Sequence, residues 1–104
     1  MPIVAKVHTR TLQGVTRTVV AACDSELLGK AYSSGGLVLD LKAYAPFYKG
    51  ERVSAKRLGE MLEGVDSVNL VGGKAIAAAG KVISVKLSDA KKIGGVPHLQ
   101  YYNI

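Results

Sequence analysis

Cysteine is nearly absent from this chain of 104 residues, in which Cys23 stands alone. A single thiol cannot form a disulfide within the chain, and one cysteine does not make a zinc site. No apolar run approaches the roughly 18 residues that cross a membrane. The first residues lack the charged and then apolar order of a signal peptide. We therefore expect a cytoplasmic protein, outside the membrane, with no metal and no cofactor.

Acidic residues are few compared with basic ones. Eight Asp and Glu are set against fourteen Lys and Arg, which gives a formal net charge of +6. This excess favours an anionic partner, and RNA is the partner that we expect. Apolar residues make up 48% of the chain, which argues against disorder. The length predicts a single domain, residues 1–104, with a core of its own.

The start of the chain has the pattern of an antiparallel sheet. Apolar and polar side chains alternate over residues 3–8, and β-branched residues are frequent over residues 15–22. Gln13-Gly14 lies between them and suits a tight turn. The sequence therefore predicts a hairpin with a basic outer face, formed by Lys6, His8, Arg10 and Arg17.

The rest of the chain predicts an α+β fold, with a mostly antiparallel twisted sheet packed by two or so helices on one face. Ser54 should cap the first helix, whose apolar stripe is Leu58, Met61, Leu62 and Val65. The alanine-rich residues 69–80 predict the second helix, with Asn69 as a possible cap. Further strands are predicted over residues 37–42, 83–87 and 93–100, with Pro97 at a sheet edge or bulge.

Residues 43–50 are predicted as a loop, and residues 44–57 combine aromatic rings with cations. Aromatic rings stack on unpaired bases, while Lys and Arg hold phosphates. Tyr48 has two interpretations, since it either stacks on a base or closes the core together with Phe47. The predicted nucleic-acid-binding residues are Lys6, Arg10, Arg17, Tyr48, Lys49, Arg52, Lys56 and Arg57.

Three residues are weak candidates for catalysis: His98, Asp24 and Cys23. His98 titrates near neutrality and suits a general base, or else it anchors a turn by hydrogen bonds to backbone. Cys23 follows apolar residues and is more typical of an inert core thiol than of a nucleophile. Asp24 is favoured as the cap of a short helix. Gly72-Gly73-Lys74 lacks the rest of a phosphate-binding loop, which argues against a nucleoside triphosphatase.

Three segments, residues 23–30, 69–72 and 93–100, resemble the archaeal domain-of-unknown-function family 424, a family of uncharacterised small proteins. The last segment is the most specific, and the resemblance extends from about Val15 to Gln100. Gly73 departs from it, because a charged residue is expected there. The residues that carry the family motif are Asp24, Gly29, Asn69, Gly72, Gly95, Pro97, His98 and Gln100. The resemblance implies a small archaeal cytoplasmic protein, closer to an accessory factor for nucleic acid or translation than to a metabolic enzyme.

Three hypotheses for the function follow. The leading one is a small, basic, non-enzymatic RNA-binding or translation-associated module. The second is a small enzyme or ligand-binding protein with a site around His98, formed with Gln100, Asp24 and Asn69. The third is a protein-interaction module that forms a homodimer through Tyr101, Tyr102 and the last strand.

Overall fold

The structure is a computed structural model, and it describes residues 3–102. Within these residues it has eight strands, three α-helices and two short 3₁₀ turns. The strands are β1 (Ile3–Leu12), β2 (Val15–Asp24), β3 (Ala31–Ser34), β4 (Leu37–Asp40), β5 (Glu51–Val53), β6 (Ser67–Val71), β7 (Lys91–Ile93) and β8 (Val96–Tyr102). The helices are α1 (Ala45–Tyr48), α2 (Ala55–Met61) and α3 (Gly73–Ala79), and the 3₁₀ turns cover Ser25–Leu27 and Leu87–Asp89.

Six strands form one sheet in the order β5-β1-β2-β6-β8-β7, and β3 and β4 form a separate hairpin. All neighbours in the large sheet are antiparallel except β2 and β6, which are parallel. The chain leaves β2, passes through the first 3₁₀ turn, β3, β4, α1, β5 and α2, and returns as β6. The predicted mixed α and β content and the mostly antiparallel sheet are confirmed. No helix among residues 3–102 is long and apolar enough to cross a membrane.

The two faces of the large sheet are covered by different elements. On one, here called the helix face, α2 and α3 pack on alternate residues of the strands, and their shared core includes Ile3, Ala5, Val20, Ala22, Leu58, Leu62, Leu70 and Ile76. On the other, here called the cleft face, α1 and the β3–β4 hairpin cover only one end, through a core that includes Val4, Ala21, Cys23, Leu39, Leu41, Tyr48 and Val71. The rest of the cleft face is left open.

The predicted first hairpin is confirmed. Its turn residues Gln13 and Gly14 have φ of 53° and 79°. Two positive φ values in a two-residue turn match the right-handed twist of the strands. The register sets Arg10 opposite Arg17, so both side chains lie on the same face.

The predicted first helix is confirmed as α2. The Ser54 hydroxyl accepts a hydrogen bond from the backbone N–H of Arg57 at 3.1 Å, as expected of an N-cap. Leu58 and Leu62 are buried against the sheet. The chain leaves the helix through Gly64, whose φ is 71°. The capping residue and the apolar stripe lie within this segment and match its packing on the sheet, so the sequence alone predicts the helix.

Several predicted elements differ from those in the structure. Residues 69–71 belong to the central strand β6 and not to a helix, because Leu70 and Val71 are buried on opposite faces of the sheet. Residues 83–87 do not form a strand, although apolar side chains alternate there. Their hydrogen bonds are local, such as the bond of 2.9 Å from the N–H of Val85 to the carbonyl of Ile83. The predicted loop at residues 43–50 also contains a helix, α1.

The predicted strand over residues 93–100 is instead the β7–β8 hairpin. Gly94 and Gly95 form its turn, with φ of 58° and 82°. Pro97 lies in β8 opposite Lys92 of the three-residue strand β7, one strand in from the sheet edge. Its carbonyl accepts a hydrogen bond of 2.8 Å from the N–H of Gly72, which joins the start of β8 to the residue that precedes α3.

Candidate functional site

A cleft of about 380 Å³ opens on the cleft face, between β6–β8 and the β3–β4 hairpin with α1. This volume falls within the roughly 300–1,000 Å³ of small-ligand sites. Its walls are largely apolar and aromatic, formed by Val38, Leu39, Leu41, Tyr44 and Phe47. Its floor is polar, formed by Asn69, His98 and Gln100. All three floor residues belong to the family motif predicted from the sequence.

Strand register brings the floor residues together. Asn69 of β6 lies directly opposite Gln100 of β8. His98 comes two residues before Gln100, so its side chain is on the same face of the strand. The sequence signal is a polar side chain within an otherwise apolar strand, since Asn69 lies between two buried residues. The same row across the sheet also contains Lys6.

One amide oxygen joins the floor to the wall of the cleft. The Tyr48 hydroxyl donates a hydrogen bond of 2.7 Å to Asn69 Oδ1, and His98 Nε2 lies 3.1 Å from the same oxygen. A carbonyl oxygen only accepts, so His98 Nε2 carries the ring proton and Nδ1 keeps a lone pair. The partner of His98 is therefore a side chain, and the predicted anchoring to backbone is wrong.

Burial sets the protonation of this hydrogen-bonded group. It lowers the pKa of the His98 imidazole below its ordinary value, so the ring is neutral at pH 7. It raises the pKa of Tyr48 to about 12, so the hydroxyl stays protonated and remains a donor. The floor thus offers the amide N–H₂ group of Asn69 as a donor and the Nδ1 atom of His98 as an acceptor.

Tyr48 does not offer a ring for stacking. Its side chain is only 4% exposed, which supports the core interpretation and removes it from the predicted nucleic-acid contacts. Phe47 is partly buried and stacks on His8, with ring centroids 4.5 Å apart. The exposed ring of the cleft is Tyr44, at 65%. Sequence reasoning had included Tyr44 in the aromatic segment without selecting it.

Asp24 and Cys23 do not take part in the cleft. The Asp24 carboxylate caps α3 and not the adjacent 3₁₀ turn, accepting hydrogen bonds of 3.1 and 2.8 Å from the N–H groups of Lys74 and Ala75. Cys23 is fully buried, and burial raises the pKa of its thiol to about 12. A thiol with that pKa is not a nucleophile at neutral pH. Asp24 is a helix cap as predicted, but it caps α3 and not the short helix that directly follows it. The predicted cap at Asn69 is wrong, because Asn69 lies in β6.

The other motif residues form the scaffold behind the floor. Gly72 has φ of 100°, and a Cβ there would collide with the Asp24 carboxylate. Gly29 has φ of 86° and its N–H donates to the carbonyl of Leu41, at the base of the β3–β4 hairpin. Gly95 and Pro97 shape the β7–β8 hairpin. The motif therefore divides into residues that line the cleft and residues that hold its strands and the β3–β4 hairpin in place.

The predicted cations are divided between the two faces. Cross-strand pairing places Lys6, Arg10, Arg17 and Arg52 on the cleft face, and Lys49 follows α1. Lys56 and Arg57 lie on α2, across the sheet. Arg57 is also paired with Glu51 at 3.2 Å and Glu60 at 3.7 Å. The eight predicted residues therefore do not form one surface.

A basic residue beside the cleft was missed. Lys91 of β7 lies directly opposite His98 in the register of β7 and β8, and so faces the same side of the sheet. The alternation of side chains along β7 assigns Lys91 to this face only once β7 is recognised as a strand. The sequence predicts a single strand over residues 93–100, which leaves Lys91 out. Among residues 3–102, no cluster of three or more His, Cys, Asp or Glu is placed to hold a metal ion.

Tyr101 and Tyr102, predicted as one dimer surface, face opposite ways. Tyr101 packs against the core on the helix face, whereas Tyr102 is 65% exposed. Tyr102 donates a hydrogen bond of 3.2 Å to Gln100 Oε1. Only one of the two tyrosines is therefore available at the cleft face.

Comparisons with known proteins find a similar solved structure and a protein family. The chain is similar to an uncharacterized conserved protein from Methanopyrus kandleri of known crystal structure, with 26% sequence identity and a TM-score of 0.75. The match covers 96% of this chain and 90% of that one. No functionally curated protein matches. The family described as "Protein of unknown function (DUF424)" matches residues 14–104, and the chain belongs to this family.

Proposed function

We propose that this protein binds single-stranded RNA on the cleft face and seats one unpaired base in the cleft. The observation that carries the proposal is the polar floor of Asn69, His98 and Gln100 beneath an exposed aromatic ring, Tyr44. Amides and a neutral imidazole can bond to base edges, and a tyrosine ring can stack on any base.

The distribution of charge supports the same face. Cross-strand register gives the cleft face five cations: Lys6, Arg10, Arg17, Arg52 and Lys91. The acid that lines the cleft is Asp40, whose Oδ1 accepts hydrogen bonds from two backbone N–H groups. The helix-face side also has cations, namely Lys56, Arg57, Lys74 and Lys81. Two of these are paired with acids, since Arg57 contacts Glu51 and Glu60 and Lys74 contacts Glu26. A phosphate backbone is therefore attracted to the cleft face more than to the opposite one.

The experiment compares matched charge reversals on the two faces. Binding of a fluorescent, random-sequence RNA of roughly 12 nucleotides, a length typical of single-strand-binding sites, is followed by anisotropy. Arg52→Glu with Lys91→Glu changes the cleft face, and Lys56→Glu with Lys81→Glu makes the same change in charge on the helix-face side. We expect a strong loss of affinity in the first variant and a small one in the second.

Equal losses would mean that RNA responds only to net charge, and the proposed surface would be wrong. No binding by the wild-type protein at low salt would exclude RNA as the partner. A cytoplasmic location, which we also propose, is consistent with this function.

A second candidate is a small-molecule site in the same cleft. The observation that favours it is the neutral His98, whose Nδ1 atom is an acceptor among largely apolar walls. An enzyme built on Cys23 or Asp24 is not supported, because both side chains are engaged elsewhere. Saturable binding of a metabolite without any binding of RNA would favour this second candidate. Homodimerisation stays a prediction, and sedimentation of the purified protein tests it.

A further inference from the structure

A second hollow adjoins the cleft on the same face of the sheet. It measures about 300 Å³ and extends towards the end of β8. Phe47, Asn69 and Gln100 line both the cleft and the hollow, so these three residues form the wall between them. The hollow also has an aromatic residue of its own, the exposed Tyr102.

The two compartments follow one strand. His98, Gln100 and Tyr102 are alternate residues of β8, so their side chains share a face and follow one another at about 6–7 Å. His98 lines the cleft, Gln100 lines both compartments, and Tyr102 lines the hollow. The result is a short trough with an exposed tyrosine in each half.

The dividing wall offers hydrogen-bond donors. Asn69 Oδ1 is occupied by Tyr48 and His98, and Gln100 Oε1 is occupied by Tyr102. Each amide is thereby oriented with its N–H₂ group available for a ligand. Base edges carry carbonyl oxygens and ring nitrogens that accept such bonds.

We infer that the trough holds two successive unpaired bases of one RNA strand, one beside Tyr44 in the cleft and the next beside Tyr102 in the hollow. This inference rests on the proposed function. The two tyrosines provide one stacking surface per base, and the amide wall contacts the edges of both. Antiparallel sheets that bind RNA commonly stack two or three bases on surface aromatics. Lys6 lies in the same cross-strand row as Asn69 and Gln100, so its positive charge attracts the phosphates of the strand to this face.

The test compares mononucleotides with dinucleotides by calorimetric titration at constant salt. The probes are uridine monophosphate and the dinucleotide of two uridines, with the corresponding pairs for adenine, cytosine and guanine. For at least one base we expect the wild-type protein to bind the dinucleotide about 5- to 150-fold more tightly, which is the value of one additional stacked base. Tyr102→Ala should abolish this gain, because it removes the ring on which the second base stacks.

The control is Tyr44→Ala, which should weaken binding in the other half of the trough. Equal affinity of the wild-type protein for mono- and dinucleotides would overturn the two-base inference and leave the proposed function intact. A gain that persists in Tyr102→Ala would also overturn it, because the second base would lie elsewhere. If wild-type protein binds neither these probes nor longer RNA, the proposed function fails together with the inference.

Discussion

At the scale of single residues, Asn69 organises the candidate site. Its side-chain oxygen accepts from two donors that come from different parts of the fold, Tyr48 of α1 and His98 of β8. That arrangement fixes the His98 tautomer and aims the amide N–H₂ away from both partners. A polar residue in a central strand is costly unless its hydrogen bonds are made. Asn69 therefore joins α1, β6 and β8 at the floor of the cleft.

We predict that Asn69→Leu lowers the free energy of unfolding by about 1–3 kcal/mol, because it leaves the Tyr48 hydroxyl and His98 Nε2 without their acceptor. Urea denaturation measures the change. Gln100→Leu is the matched control on the facing strand, and it should cost less than about 0.5 kcal/mol because its contact with Tyr102 is exposed. Similar small losses in both variants would contradict the role given to Asn69.

At the scale of elements, α3 depends on a residue far away in sequence. The helix has seven residues and follows Gly72, whose φ of 100° is a conformation restricted almost entirely to glycine. Asp24, at the end of β2, accepts from the N–H groups of Lys74 and Ala75. Lys74 Nζ in turn contacts Glu26 at 2.9 Å. Asp24 at the end of β2 therefore fixes where α3 begins after the neighbouring strand β6.

We predict that Asp24 and Gly72 are energetically coupled. Asp24→Ala should destabilise the protein by about 1–2 kcal/mol through loss of the cap. Gly72→Ala should cost at least as much, because its methyl group meets the carboxylate and its φ is strained. In the double variant the clash is gone while the backbone strain at residue 72 remains. Its loss of stability should therefore be about 1 kcal/mol smaller than the sum of the losses in the two single variants. Strict additivity in a thermal or urea double-mutant cycle would refute this coupling.

The same elements show how far sequence predicts this fold. The first hairpin and α2 were located because their turns and caps lie next to the segments that they shape. Residues 69–71 were assigned to a helix because the alanines that follow favour one, and the strand is recognisable only once its neighbours bury both faces. The capping partner of Asp24 lies about fifty residues away, and no local pattern gives it. At the site, the family motif identifies Asn69, His98 and Gln100 from the sequence. The position of Lys91 beside them follows only from the register of the β7–β8 hairpin.

At the scale of the whole molecule, cations lie on both faces of the sheet, but on the helix-face side Arg57 and Lys74 are paired with acids. The long β1–β2 hairpin extends the cleft face, and the molecule measures 39 Å along its longest axis. Near the tip of the hairpin, Arg10 and Arg17 lie directly opposite each other. Like charges in a cross-strand pair repel, so this pair weakens the hairpin slightly unless an anion lies between them. A phosphate bound there would relieve the repulsion and lengthen the RNA contact beyond the cleft.

We predict that RNA binding depends on salt through the cleft face alone. If all five cations of that face contact phosphates, the logarithm of affinity should fall with the logarithm of salt with a slope no steeper than about −3.5 for a single strand. Arg10→Gln with Arg17→Gln should reduce the slope to about −2 while leaving the fold as stable or slightly more so. Lys56→Gln with Lys81→Gln, on the helix-face side, should leave the slope unchanged. A slope that responds to the helix-face variant and not to the hairpin variant would place the RNA on the helix face and contradict binding in the cleft.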